Sequence, residues 1–277
     1  MYKLLNGKEV SNYIKKDVKR EITKLNIKPS LTVIVVGDNP ASTVYVRNKE
    51  KACAQVGIES IVHRLPEDTS EESLLALINL LNNDPSVDGI LVQLPLPDHI
   101  DANTVLQAID PKKDVDGFTA VNTGRLWLGD YVLTPCTAMG IIELLDYYSI
   151  DIEGKNCVVM GRSNIVGKPI AALLLERNAT VTMCHSKTRN LNEFTKNADV
   201  LIVAIGKSKF VTEDMIKDGA VVIDVGINRG EDGKLCGDVD FENVAEKTSV
   251  ITPVPNGVGP ITVAMLMKNT LLAAKTE

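Results

Sequence analysis

Short apolar runs alternate with stretches of helical period along the whole chain, and this alternation limits the fold more than any other feature. Leu31–Val36, Ser60–Leu65 and Gly89–Gln93 read as strands in the first half, and Cys157–Met160, Thr180–Met183, Leu201–Ala204 and Val221–Val225 in the second. Helix-length intervals separate them. Strands buried on both faces and joined by helical crossovers make parallel sheets, so the expected class is α/β. Ligands of such sheets bind in the crevice beyond the carboxyl ends of the strands.

At 277 residues and 44% hydrophobic, the chain can bury a substantial core, and two domains are expected. Val10, Ile14, Val18, Ile22 and Leu25 form an apolar stripe on a Lys-rich first helix, a packing face rather than a catalytic one. The run L-T-P-C-T at 133–137 marks one domain boundary, where Pro135 breaks the chain before the helical pattern Ala138 to Tyr148. A second crossing is expected at I-T-P-V-P-N-G-V-G-P, residues 251–260, ahead of an apolar helix from Thr262 to Ala274. The division is then 1–137, completed by a C-terminal helix over 261–277, and 138–260, with a ligand cleft between the two. Gly257 and Gly259 offer backbone amides close to a ligand there.

A net charge of -6 and a pI near 5.3 argue against nucleic acid or an anionic membrane as partner, though a local basic site for a phosphorylated ligand is compatible with them. The N-terminus lacks an apolar signal core, and no apolar run approaches the ~20 residues of a membrane span, so a cytoplasmic protein is expected. Five widely spaced cysteines without C-x-x-C fit reduced, mostly buried thiols, and three histidines make a His-built metal site improbable.

Chemistry is expected first in P-A-S-T-V-Y-V-R-N-K-E-K, residues 40–51, a helix opening after a strand and a Gly37-Asp38-Asn39 turn. Tyr45 and Lys49, four apart, share a face. A phenol that stacks on a flat ring, beside an amine whose pKa falls readily on desolvation, suits proton transfer to a heterocycle. The plain alternative is a solvated face with a tyrosine lying on it. Gln93 ends G-I-L-V-Q before L-P-L-P, where the prolines turn the chain; it faces either a ligand or Lys49, or caps loose backbone groups. In P-K-K-D-V-D-G-F, residues 111–118, Asp116 is the better-placed carboxylate for the paired N–H groups of an aminopyrimidine-like ring. An ordinary turn explains the same residues, whereas a calcium loop does not, since Thr119 and Arg125 stand where it needs Gly and Glu.

The cofactor signal lies in the second half. Strand Cys157–Met160 runs into G-R-S-N-I-V-G-K-P, residues 161–169, and a helix over Val166 to Glu176, the phosphate-binding entry of a dinucleotide fold. The spacing departs from G-x-G-x-x-G, with Gly167 one residue late, so the glycines alone are a weak signal. The second strand ends Cys184-His185-Ser186-Lys187 with no acid, and Arg162 sits in the glycine turn. That favours NADP, its 2′-phosphate held by Arg162 and Ser186 with His185 or Lys187 assisting. Short-chain dehydrogenases also use Y-x-x-x-K, but downstream of the glycine turn within one domain; here the pair lies over a hundred residues upstream.

These motifs, in this order, resemble the bifunctional methylenetetrahydrofolate dehydrogenase/methenyltetrahydrofolate cyclohydrolases. The resemblance spans essentially the whole chain: V-G-D-N-P-A-S-T-V-Y-V-R-N-K, G-I-L-V-Q-L-P-L-P, K-D-V-D-G-F, T-P-C-T, G-R-S-N-I-V-G-K-P, V-I-D-V-G-I-N and P-V-P-N-G-V-G-P-I-T-V. The last departs from the family's P-G-G-V-G-P in having Asn256, and in having Ile261 where an aromatic residue or Met is usual. Asn, after Gly, best tolerates a left-handed backbone, so the turn is expected to survive.

The resemblance implies that Lys49 is the catalytic lysine, Tyr45 stacks on the pterin, Gln93 positions the lysine and Asp116 anchors the pterin. It implies that Gly161, Arg162, Ser163, Ser186 and Ile227 contact NADP, and that Ser42 and the turn Val258, Gly259, Pro260 line the folate side. It further implies a Rossmann-like NADP domain, tetrahydrofolate one-carbon derivatives as substrates, a homodimer, and service to purine, histidine and methionine biosynthesis. Two other readings are another NADP enzyme of this layout acting on a different small substrate, and a cofactor-binding regulator without turnover. Folate binding and an activity assay separate them.

Overall fold

The computed structural model describes residues 2–230 and 233–275, with residues 40–44 described by their backbone alone. In chain order the elements begin with β1 (Lys3–Leu4), α1 (Gly7–Leu25), β2 (Ser30–Val36), α2 (Pro40–Val56), β3 (Glu59–Leu65), α3 (Glu71–Asn82) and β4 (Gly89–Val92). Then follow α4 (Ala102–Gln107), α5 (Ala120–Leu128), α6 (Cys136–Tyr147), β5 (Asn156–Met160), α7 (Gly167–Glu176), β6 (Thr180–Cys184), α8 (Leu191–Thr195), β7 (Val200–Val203) and β8 (Val221–Asp224). A short hairpin, β9 (Asn228–Arg229) and β10 (Leu235–Cys236), precedes α9 (Phe241–Val244), β11 (Val250–Ile251) and α10 (Val258–Ala273). No described helix is long and apolar enough to cross a membrane.

The chain forms two compact units, one made of residues 12–136 and 263–277, the other of residues up to Ser11 and 137–262. The first holds a three-stranded parallel sheet in the order β3-β2-β4. Its middle strand, S-L-T-V-I-V-V, is buried at every position, as expected of a strand covered on both faces. Ile34, Val36, Ile90 and Val92 pack there against Leu74, Ile78 and Leu81 of α3. Ser70 caps that helix, its Oγ accepting the Ser73 amide at 3.2 Å, and Glu71 and Glu72 fill the first turn as the helix dipole favours. The α1 stripe packs through Val10, Ile14, Val18 and Ile22, whereas Leu25 at the helix end is 42% exposed.

The second unit is a six-stranded sheet in the order β1-β11-β8-β7-β5-β6, all parallel. Because β6 pairs on one side of β5 and β7 on the other, the strand order reverses at β5, the place where open α/β sheets form a ligand crevice. Two features are not legible in the sequence. Residues up to Ser11, expected with the first domain, go instead with the six-stranded unit because Lys3–Leu4 adds as an edge strand to β11. The chain therefore passes between units three times, within α1, at the head of α6 and within α10, rather than twice. The C-terminal helix also starts at Val258, four residues before its expected start at Thr262.

Candidate functional site

In the three-stranded unit, the residues singled out from sequence converge. Helix α2 leaves the end of β2 after Gly37, which sits at φ +77, and carries Tyr45 and Lys49 one turn apart. Gln93 follows β4 directly, and its amide nitrogen bonds to Ile34 O at 2.9 Å, so it stands at the carboxyl end of the central strands. Lys49 Nζ donates to Gln93 Oε1 at 3.0 Å. Gln93 Nε2 donates to Leu94 O at 2.7 Å, which fixes the amide so that its oxygen faces the lysine. Gln93 thus both meets Lys49 and caps the turn; the two readings of it are compatible. Tyr45 is 41% exposed and open to stack on a ring. Ser42 is among the residues described by their backbone alone.

The two aspartates of K-D-V-D-G-F divide the work. Asp114, 1% exposed, accepts from Phe118 N, Thr119 N and Asn122 Nδ2 at 3.1, 2.8 and 2.9 Å, so its carboxylate is spent on the loop. Asp116 makes its side-chain hydrogen bond with Cys136 and feels the Lys49 charge. Desolvation pushes its pKa up to about 6, against the opposing pull of Lys49, with Asp114 adding to the rise. At neutral pH it is a half-buried carboxylate. Gly117 places it: a φ of +71, with Thr134 C only 2.6 Å from where a methyl would stand, admits no side chain there.

Two residues of this site were missed. Cys136, read only as a buried thiol, is the partner of Asp116. Burial, with the Asp116 charge, drives its own pKa well above the ordinary thiol value. Asn269 of α10, 1% exposed, donates to Val115 O and Thr134 O, each at 2.8 Å, tying together the loops of Asp116 and Cys136. A polar break, K-N-T, in the apolar helix pattern M-L-M-K-N-T-L-L was the signal available for it.

In the six-stranded unit, a cavity of about 240 Å³ opens at the β5 switch point, lined by Gly161, Arg162, His185, Ser186, Ala204, Ile205, Lys207 and Phe210 among others. Gly161 has φ +124, and a side chain there would strike Ala204 O. Gly167 allows α7 to close on the turn, since a methyl at that position would lie 2.6 Å from Gly161 C. It does the work of a third glycine from one residue further along. Ser163 Oγ accepts the Val166 and Gly167 amides at 3.2 and 3.3 Å, capping α7. His185 Nδ1 accepts the Lys187 amide at 3.2 Å; His185 lines the cavity, whereas Lys187 is not part of the lining. Lys207, unnoticed in the sequence, adds a second cation to Arg162, its ammonium 5.5 Å above the Phe210 ring. Val258, Gly259 and Pro260 open α10. A methyl on Gly259 would lie 3.6 Å from Ile227 Cδ1, so this turn adjoins Ile227. Asn256 does adopt the left-handed backbone, at φ +75.

A glycine-cradled crevice at a parallel-sheet switch point, together with a lysine–glutamine–aspartate site on a separate α/β unit, defines a two-unit enzyme class of dinucleotide-binding type. Residues 135–277 match the family described as tetrahydrofolate dehydrogenase/cyclohydrolase, NAD(P)-binding domain, and residues 5–116 the catalytic domain of the same family. The bifunctional protein FolD of Campylobacter concisus is 59% identical over 278 residues, covering 99% of this chain and 98% of its own. Among solved structures, the bifunctional methylenetetrahydrofolate dehydrogenase/cyclohydrolase of Campylobacter jejuni superposes with a TM-score of 0.96 at 52% identity, covering 99% of both chains. The enzyme of Trypanosoma brucei, complexed with NADP and an inhibitor, superposes at 0.94 with 38% identity, covering 99% of this chain and 97% of that one. The chain belongs to the tetrahydrofolate dehydrogenase/cyclohydrolase family.

Proposed function

We infer that the protein is a bifunctional one-carbon enzyme, a methylenetetrahydrofolate dehydrogenase using NADP and a methenyltetrahydrofolate cyclohydrolase. The observation that carries the residue assignment is the Lys49–Gln93 hydrogen bond of 3.0 Å beside the desolvated Asp116 carboxyl. Asp116 accepts the N–H groups of the pterin ring, and Tyr45 stacks on its face, which orients the one-carbon bridge. For hydrolysis, water adds to the methenyl carbon, the carbon–nitrogen bond breaks, and one proton is released. Lys49, held by Gln93, takes the proton from the attacking water and returns it to the departing nitrogen.

The crevice at β5 suits NADP: its glycines leave room for a pyrophosphate, Arg162 and Lys207 supply cations and Ser186 a hydroxyl, with the His185 imidazole beside them, and no acid ends β6 to hold a ribose 2′-OH. When bound, NADP supplies the hydride acceptor for oxidation of the methylene carbon. Gly161, Arg162, Ser186 and Ile227 are the residues assigned to hold it, with Ser163 shaping the turn. Val258, Gly259 and Pro260 border the folate side. The family likeness supports a cytoplasmic homodimer serving purine, histidine and methionine synthesis; light scattering on the eluting protein tests the dimer.

An absorbance assay with methylenetetrahydrofolate, run with NADP and NAD in parallel, tests the whole reading. Reduction with NADP and little methenyl accumulation is expected. Accumulation of methenyl would remove the hydrolytic step, and no reduction with either cofactor would remove the function.

A further inference from the structure

We propose that Asp238 is a positioning residue for the cofactor crevice, one carboxylate that sets the loop after β7, which lines it, and ties that loop to Asn228, next to Ile227. Asp238 is completely buried. Its Oδ2 accepts the amides of Ile205 and Gly206 at 2.7 and 3.0 Å, and its Oδ1 accepts the Lys207 amide and Asn228 Nδ2, both at 2.8 Å. Three consecutive amides after β7 and the first side chain after Ile227 therefore end on a single group. Ile205 and Lys207 line the crevice, and Ala204, just before them, meets Gly161.

The carboxylate is itself held. Asp224, 3% exposed, accepts Gly226 N at 2.9 Å, Asp238 N at 3.0 Å and Val239 N at 2.9 Å. Gly226 has no room for a side chain against the Asp238 carboxyl, nor has Gly237 against that of Asp224. An anion with four donors is the arrangement that makes a buried charge tolerable, and it makes the loop geometry depend on that charge. The residues assigned to the hydrolytic step, Lys49, Gln93 and Asp116, belong to the other unit, so loss of Asp238 is predicted to separate the two activities.

This inference rests on the NADP assignment, and the test keeps the two apart. NADP binding to the full chain is measured by titration calorimetry, and cyclohydrolase turnover on methenyltetrahydrofolate is measured without cofactor, for wild type, Asp238→Asn and Asn228→Ala. Asp238→Asn turns one acceptor into a donor facing amide N–H groups; it is expected to weaken NADP about tenfold or more and leave hydrolysis within about twofold. Asn228→Ala, which removes one donor and keeps the charge, is expected to weaken NADP about threefold, and it decides the matter if Asp238→Asn does not fold. NADP affinity unchanged in a folded variant, or affinity and hydrolysis falling together, would overturn the positioning role. Wild-type protein that binds no NADP would overturn the cofactor assignment beneath it.

Discussion

Lys49 is held at 3.0 Å by a Gln93 amide whose other end is committed to Leu94 O, so it has one orientation rather than a choice of several. Removing it should leave binding groups intact and delete proton transfer. Lys49→Met is expected to cut hydrolysis about 100-fold or more, followed as decay of methenyl absorbance; a wild-type rate would refute the role. Arg162 is exposed in the glycine turn and lines the same cavity as Ser186. Arg162→Ala should raise the NADP KM about tenfold or more while leaving NAD nearly unchanged, because the lost contact is to the group that distinguishes them. Equal effects on both cofactors would mean that the guanidinium binds elsewhere on the dinucleotide.

At the scale of elements, α10 is more than the closing helix of the chain. Its Asn269 pairs two buried carbonyls from segments 154 and 135 residues away in sequence, one of which carries Asp116 while the other leads into α6 at Cys136. Asn269→Ala removes the amide donor from both oxygens, leaving Val115 O with only the Cys136 thiol at 3.4 Å, and should cost about 1–3 kcal/mol in urea unfolding. It should also raise the KM for the folate substrate more than the Kd for NADP, whose residues lie on other elements. A loss of stability with both constants unchanged would confine Asn269 to packing.

Across the whole molecule, the two carboxyls raised most clearly by burial sit one in each unit, Asp116 and Asp224, each at about 6 against an ordinary value of 3.8. A carboxyl that holds its proton more tightly when folded stabilises the fold at low pH. Its contribution is full below the unfolded value and is lost as pH rises through the folded one. Asp84, Asp199 and Asp214 are lowered and act the opposite way, but only below the ordinary carboxylate value. Unfolding free energy should therefore decline between about pH 4 and 6, by of order 2 kcal/mol for each raised carboxyl. Urea titrations across that range check this, and Asp224→Asn should flatten its share of the slope; a rise over the same interval would contradict it.

Residue order alone made the α/β class and most strands legible to within a residue or two, and it singled out Tyr45, Lys49, Gln93 and Arg162 as candidates. Those rest on periodicity and on positions at strand ends, which are local properties of the chain. It took the fold to show that Lys3–Leu4 pairs with β11, that Asp114 holds a loop while Asp116 feels the Lys49 charge, that Lys207 lines the crevice, and that Asp238 and Asn269 each gather backbone groups from distant segments. In each case the deciding partner is distant in the chain: Val250 for Lys3, Cys136 for Asp116, Gly206 for Asp238 and Thr134 for Asn269. A buried carboxylate or amide is assigned by which donors and acceptors reach it, and that is a property of the fold, invisible in the order of residues.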